Sequence, residues 1–210
     1  TLIAFNSTQG TSTGTSIDTG TFGVSSVAVS DLNLKGETMS IYRAFLPFNT
    51  SSIPGGATIT SASLTVFGTT TGFFGTQMND GVDYVTVVET NEADYATLVL
   101  ADYNNVGSTV TNPTEGIAAG NRKDISSGGF ATSTGGASNT SGQNTFTLNS
   151  TGIGWIKKAG QASSCSVSTG ISCFGLREGH DATRTTVTTN NFSGASWVQS
   201  EYAGTSNDPS

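Results

Sequence analysis

Side chains suited to chemistry are sparse in this sequence, and His180 comes first because it is the single histidine. Asp181 follows it directly, and Arg177 lies three residues before it. A histidine beside a carboxylate is suited to general acid–base catalysis, because its ordinary pKa lies near neutral pH. Such a group at the end of a strand is more often solvated or fixes a loop, and the sequence favours that structural role.

Oxygen ligands for a metal are grouped in the segment Asn79-Asp80-Gly81-Val82-Asp83. Calcium binds such oxygens, but the alternating Asp/Asn pattern of a dedicated calcium loop is absent, so a plain turn is favoured. A structural zinc site usually takes four ligands, and the chain offers only two cysteines and His180. We therefore expect neither a metal nor a cofactor.

The two cysteines, Cys165 and Cys173, are separated by eight residues with Gly170 between them. This spacing suits a hairpin closed by a disulfide, and two buried thiols are the alternative. A disulfide would indicate an oxidising compartment. Its small loop would add about 2–3 kcal/mol to the free energy of unfolding.

Catalytic motifs are absent from the sequence. There is no Gly-x-Ser-x-Gly elbow and no phosphate-cradling loop. The chain has 15 acidic residues, but their spacing singles out no pair of the kind that hydrolyses glycosidic bonds. The sequence therefore predicts a protein that is not an enzyme.

Surface modification and glycan contact are the remaining candidate roles of individual side chains. Glycans are commonly held on exposed aromatic rings, and the candidates here are Phe73, Phe74, Trp197 and Tyr202, with core packing as the alternative for each. Five Asn-x-Ser/Thr sequons permit N-glycosylation: Asn6, Asn49, Asn139, Asn149 and Asn191.

The charge of the chain excludes two classes of partner. The net charge is −7 with only eight basic residues, so no basic patch is present for nucleic acid or for an anionic membrane surface. No apolar run is long enough to cross a bilayer. The first residue is Thr1 rather than Met, which is expected of a processed, exported chain and equally of a piece of a longer chain.

The elements that must position these residues are predicted to be β-strands. Residues 41–48 and 61–68 alternate with period two, which is typical of strands with one buried face. Pro54, Gly55 and Gly56 reverse the chain between them. We expect these runs to be two strands of one sheet packed on one side.

Further strands are predicted at residues 1–5, 24–30, 82–90, 145–148, 173–178 and 195–202. Asn149 is expected to cap a short helix that runs through Lys158, whereas 94–103 suits either a helix or a strand. Many short strands with frequent turns indicate an all-β fold, an antiparallel β-sandwich of the jelly-roll type, as a single domain over 1–210.

Several motifs resemble those of a known family. Residues 43–48 (RAFLPF) and 52–64 (SIPGGATITSASL) are similar to the signature hairpin of DNRLRE-type domains, and 101–103, 146–152, 174–177 and 204–209 resemble later landmarks. These domains are carbohydrate-binding-module-like jelly rolls of secreted, cell-surface and phage tail proteins. The resemblance implies a β-sandwich in an extracellular or virion setting, and it implies no catalytic residue.

The end of the chain departs from that family. The family continues after its Asp-Pro into an apolar strand, whereas Asp208-Pro209 is followed here by Ser210 alone. Three explanations are open: the strand follows in a longer chain, the fold is complete without it, or another subunit supplies it. A sheet that lacks a strand presents an edge for β-augmentation. The apolar candidate donor comprises Thr1, Leu2, Ile3, Ala4 and Phe5.

These observations predict a non-catalytic structural subunit of an extracellular assembly, either a surface filament or a phage tail or adhesion appendage. Strand donation would join copies of the chain head to tail. A carbohydrate-binding module that recognises a polysaccharide is the alternative. The expected location is secreted, cell-surface or virion, with neither nucleic acid nor membrane insertion.

Overall fold

The computed structural model describes residues 2–6, 16–18, 24–31, 40–70, 75–76, 78–126, 128–132, 142–187 and 191–198. The strands within these ranges are β1 (Leu2–Asn6), β2 (Ser16–Asp18), β3 (Val24–Asp31), β4 (Ser40–Asn49), β5 (Ser63–Thr69), β6 (Gly75–Thr76), β7 (Tyr84–Glu89), β8 (Lys123–Asp124), β9 (Gln143–Thr147), β10 (Ile171–Glu178) and β11 (Asn191–Val198). The helices are α1 (Ser150–Gly154), α2 (Gly179–Thr183) and two 3₁₀ segments, Leu100–Asn105 and Ala119–Asn121.

The strands form one antiparallel sheet that folds over itself into a sandwich. Its hydrogen-bonded order is β8-β7-β10-β4-β3-β11-β5-β9, and β1, β2 and β6 attach to this path. The predicted all-β, antiparallel architecture with only short helices is confirmed. Among the described residues, no helix has the length and apolar character needed to span a membrane.

The main core fills the space between the layers of the sandwich. It is built from inward-facing residues of the strands, because alternate positions of a strand face the same side. Its central members are Val27, Ala44, Leu46, Leu64, Val66, Val85, Val87, Phe146, Phe174, Leu176, Ala195 and Trp197.

A second apolar cluster covers the opposite face of β4. Ile41 and Phe45 pack there with Leu98, Tyr103 and Val106, which belong to the segment after β7. The expectation that this strand is packed on one side is therefore wrong, because its residues from Arg43 to Leu46 are buried on both faces. Arg43 is fully buried as well, and an ion pair with Asp181 compensates the burial of its charge.

The two runs at 41–48 and 61–68 form the strands β4 and β5, but these strands do not pair with each other. β4 pairs with β1, β3 and β10, whereas β5 pairs with β9 and β11. The turn at Pro54, where the N–H of Ala57 donates to the Pro54 carbonyl at 2.9 Å, therefore carries the chain between two parts of the sheet. Alternation identifies a strand, but the contacts of its two edges decide its partners.

Asn149 caps α1 as the sequence predicts, because its Oδ1 accepts the N–H of Gly152 at 2.9 Å. The helix ends at Gly154, earlier than the predicted Lys158. The undecided segment 94–103 enters the 3₁₀ turn Leu100–Asn105 rather than a strand.

Candidate functional site

Asp181 in α2 joins two neighbouring strands through their arginines. Arg43 of β4 donates from Nη2 to Asp181 Oδ1 at 2.7 Å and from Nε to Oδ2 at 2.8 Å, and Arg177 of β10 donates from Nε to Oδ2 at 2.7 Å. All three side chains are fully buried. Burial raises the pKa of Asp181, but the two guanidinium groups outweigh it and lower this pKa to about 2.

The other donors of the arginines hold the segment that covers the sheet. Arg43 Nη1 donates to the carbonyl of Tyr103 at 2.8 Å and its guanidinium lies 3.9 Å from the centre of the Tyr103 ring. Arg177 Nη2 donates to the Val110 carbonyl at 2.8 Å. These charged groups therefore stabilise the fold, and none of the three is accessible to a substrate.

His180 lies beside this network and has different partners. Its Nδ1 lies 2.8 Å from Glu178 Oε1, and its Nε2 lies 3.2 Å from Asp80 Oδ2. Burial raises the pKa of Glu178 to about 7. Burial lowers the pKa of His180, but the carboxylates of Glu178 and Asp80 outweigh it, so this pKa lies above its ordinary value.

The sequence hypotheses about His180 are corrected in two respects. Asp181 makes its side-chain bonds to the two arginines, while Glu178 and Asp80 bond the imidazole, so a His180–Asp181 acid–base pair is not formed. A solvated cluster is also wrong, because His180 and Asp181 are fully buried. The loop-fixing role is the one that the geometry supports.

The turn at residues 79–83 lies beside His180. Asn79 and Gly81 have positive φ angles of 56° and 89°. Asp80, Asp83 and His180 each offer one possible ligand atom, and these three atoms lie within 4.8 Å of one another. The turn predicted from the sequence and the isolated histidine therefore form one cluster, which sequence distance concealed.

The predicted disulfide is present between Cys165 and Cys173. Both sulfur-bearing residues are buried with Ile171, and Tyr95 packs against them. The bridge joins the segment before β10 to the third residue of that strand, so it braces the end of β10 that lies opposite to Arg177.

Trp197 is the one candidate glycan-contact aromatic that lies among the described residues. Trp197 is fully buried in the main core, so its assignment as a glycan contact is wrong. The pairing of β11 with β3 and β5 places this residue inside the sandwich. Phe73, Phe74 and Tyr202 lie outside the described residues.

The sequons occupy different environments. Asn49 is exposed, and its Oδ1 accepts from the N–H of Ser51 at 3.1 Å, whereas Asn149 spends its side chain on the α1 cap and donates to the Glu115 carbonyl at 3.2 Å. Asn6 ends β1 and Asn191 begins β11, while Asn139 lies outside the described residues. Glycosylation of any sequon stays a prediction.

The proposed donor segment lies in the sheet of its own chain. Leu2 to Asn6 form β1, which pairs with Phe45 to Ile41 of β4. Ile41 and Tyr42 also pair with β3, whereas Ala44 and Phe45 also pair with β10. A strand has two edges, so β3 and β10 share one edge of β4 and β1 occupies the other.

Two buried carboxyl groups were not singled out by the sequence. Glu178 is the N-cap of α2, where its Oε2 accepts the N–H of His180 at 2.8 Å. Glu92 is 2% exposed, and burial raises its pKa to about 7. A carboxylate two residues before a histidine was a signal for the first, but no local pattern marks the second.

Comparison of the chain with models of protein families, with curated proteins and with solved structures finds no match. The resemblance to DNRLRE-type domains therefore stays a prediction that depends on the motifs alone.

Proposed function

We propose that this chain is a non-catalytic structural subunit of an extracellular assembly, a surface filament or a phage tail or adhesion appendage, whose copies are joined by strand β1. The observation that carries the proposal is the position of β1 on an edge of β4. A terminal strand that covers an edge within its own chain can make the same backbone bonds to the same edge of a neighbouring copy, as in strand exchange.

The edge of β4 supports this exchange. Among the described residues, β1 is the strand that pairs with this edge, and its contacts span Ile41 to Phe45. If β1 moved to a neighbour, the edge would expose backbone donors and acceptors that a second copy of β1 satisfies. Each subunit would then give its strand to one neighbour and accept a strand from another, which produces a head-to-tail polymer.

The buried ionic groups support a role without catalysis. Arg43, Arg177, Asp181 and His180 are fully buried, and their described bonds are to protein atoms. The disulfide fits an oxidising, extracellular location. The polysaccharide-binding alternative is less well supported, because Trp197 is buried and no contact among the described residues favours it.

Electron microscopy of the purified protein tests this proposal. The full chain is expected to form ordered filaments, and a variant that lacks residues 1–5 is expected to remain as discrete particles. Circular dichroism controls for loss of the fold in the shortened chain. Filaments that form equally well without residues 1–5 would overturn the strand exchange, and a full chain that stays monomeric at every concentration would overturn the structural role.

A further inference from the structure

Asp80, Asp83 and His180 bring metal-ligating atoms together from two segments of the chain. The loop before β7 supplies the two carboxylates, and α2 supplies the imidazole 100 residues later. The loop and helix meet at backbone distance because Gly179 has no side chain, since a Cβ there would collide with the carbonyl oxygen of Val82. The three ligand atoms lie within 4.8 Å of one another, and ligand atoms about 2.0–2.2 Å from a tetrahedral Zn²⁺ lie about 3.4 Å apart, so the side chains would close by about 1.4 Å at most on binding.

The imidazole is oriented as a metal ligand is. Glu178 accepts the backbone N–H of His180 at 2.8 Å with Oε2, and its Oε1 lies 2.8 Å from Nδ1. With Nδ1–H donating to Glu178, Nε2 is the ring nitrogen that faces Asp80, and a bound cation would replace the proton that Nε2 shares with Asp80 Oδ2 at 3.2 Å. Histidines that bind metals usually donate their other ring N–H to a carboxylate in this way.

The two aspartates are also held in place by the loop. Asp80 Oδ1 accepts the N–H of Val82 at 3.2 Å, and Asp83 Oδ2 accepts the N–H of Asp80 at 2.9 Å. The hydroxyl of Thr76 donates to Asp83 Oδ1. The carboxylates are therefore oriented before any ligand arrives, which reduces the entropy lost on binding.

The charge of the cluster favours a cation. Three carboxyl groups, Asp80, Asp83 and Glu178, surround one imidazole, and Asp83 is only 3% exposed. The guanidinium groups of Arg43 and Arg177 are bonded to Asp181 instead. Arg122 lines the same recess as Asp83, but both of its bonded nitrogens donate to Glu115.

We propose that Asp80, Asp83 and His180 bind one divalent cation of the first transition row, Zn²⁺ being the best match, and that this ion ties the loop before β7 to α2. One imidazole nitrogen with two carboxylate oxygens is a donor set that zinc accepts, whereas calcium takes six to eight oxygens. Asp80 is 40% exposed, so water has access from its side to complete a tetrahedral site.

The composition of the chain makes the test unambiguous. His180 is the one histidine, and both cysteines are in the disulfide, so His180 is the single side chain able to give zinc a nitrogen or thiolate ligand. The full-length protein is stripped with a chelator and titrated with ZnCl₂ while the imidazole nitrogens are followed by ¹⁵N NMR. We expect a one-to-one complex in which the Nε2 resonance shifts and Nδ1 stays protonated.

Two matched variants separate the site from general acidity. Asp80→Asn keeps an oxygen for the N–H of Val82 but removes the charge, and it should weaken zinc binding by about 10–100-fold or more. Asp94→Asn is the control, because Asp94 makes the same kind of turn bond, to the N–H of Ala96 at 3.0 Å, away from the cluster. Its zinc affinity should equal that of the unmodified protein.

Thermal unfolding gives a second readout. Zinc at about a hundred times its dissociation constant should raise the melting temperature by about 5–10 °C in the unmodified protein and in Asp94→Asn. A smaller rise is expected in Asp80→Asn at the same concentration. An unchanged Nε2 resonance at saturating zinc, or equal responses of the two variants, would overturn the site.

Discussion

Asp181 and Glu92 are carboxyl groups buried to the same extent, yet their surroundings give them opposite properties. Asp181 is fully buried between Arg43 and Arg177, and its pKa falls to about 2. Glu92 is 2% exposed, the described part of the chain places no cationic partner beside it, and burial raises its pKa to about 7. Burial disfavours the charged form in both, so the partner and not the depth decides which carboxyl stays ionised.

The two regions are connected by β10. Arg177 lies near the C-terminal end of β10, beside α2, and Cys173 lies near the beginning of this strand. The carbonyl of Cys173 accepts the N–H of Thr90 at 3.2 Å, and Thr90 lies two residues before Glu92 in the chain. One end of the strand is thus fixed by compensated charge and the other by a disulfide and apolar contacts. At the ionic end, the guanidinium groups of Arg43 and Arg177 both depend on one carboxylate, that of Asp181.

Removing Asp181 should have the largest effect of the substitutions considered. Asp181→Ala leaves two guanidinium groups buried without a counter-charge, and the free energy of unfolding should fall by about 3–5 kcal/mol. Urea denaturation monitored by fluorescence measures the change. A loss below about 1 kcal/mol would mean that water reaches the arginines and that their burial does not set the energetics.

Neutralising Glu92 should instead stabilise the protein above neutral pH. The unfolded carboxyl releases its proton near pH 4.5 but the folded one only near pH 7, so the free energy of unfolding of the unmodified protein should fall across that interval. Glu92→Gln should remove the share of this decline that Glu92 contributes, a gain of about 3 kcal/mol at higher pH, and leave the share of Glu178, whose pKa is also raised to about 7.

Denaturation curves of both proteins across the interval measure that difference. Glu89→Gln, a half-buried carboxyl at the end of β7 in the same part of the fold, is the control and should keep the decline. A free energy that rises with pH in the unmodified protein would reverse the sign and contradict the assignment of a neutral Glu92.

Loss of the disulfide tests the other end of β10. Replacing Cys165 and Cys173 by Ala releases a loop with a sequence separation of 8, and the free energy of unfolding should fall by about 2.5 kcal/mol. The same double variant combined with Asp181→Ala should show additive losses, because no described side chain bonds to both regions. Strong non-additivity would show that β10 transmits strain between its ends.

The pair formed by Arg122 and Glu115 provides the smallest expected effect. It is bonded through two oxygens at 2.6 and 2.9 Å, but its side chains are 31% and 16% exposed. Glu115→Gln should therefore cost about 1 kcal/mol or less. A loss as large as that of Asp181→Ala would indicate that pairing geometry matters more than burial.

Much of the strand content could be predicted from the sequence, because alternation is a local property. The strand predicted at 82–90 contains β7, the one at 173–178 lies within β10, and Asn149 caps a helix. Strand partners are not local. The pairing of β4 with β10 rather than β5 depends on contacts across more than a hundred residues, which period-two patterns do not encode.

The candidate site was less predictable for the same reason. Arg43 and Asp181 are 138 positions apart, so nothing near either residue announces an ion pair. Asp80 and His180 were each noticed, but their meeting depends on the turn before β7 reaching α2. The sequence does not distinguish a buried Trp197 from an exposed one. The pairing of β11 with β3 and β5 is what places this side chain in the core.

Cysteine cross-linking between β1 and β4 tests the proposed assembly most directly. Ile3 and Ala44 are register partners, so an Ile3→Cys/Ala44→Cys variant places two thiols on adjacent strands. Phe48→Cys/Ser172→Cys, across β4 and β10, is the matched control that should close within one chain. Strand exchange predicts a ladder of covalent multimers from the first variant after assembly and oxidation, whereas cross-linked monomers alone, from filaments as from the control, would contradict it.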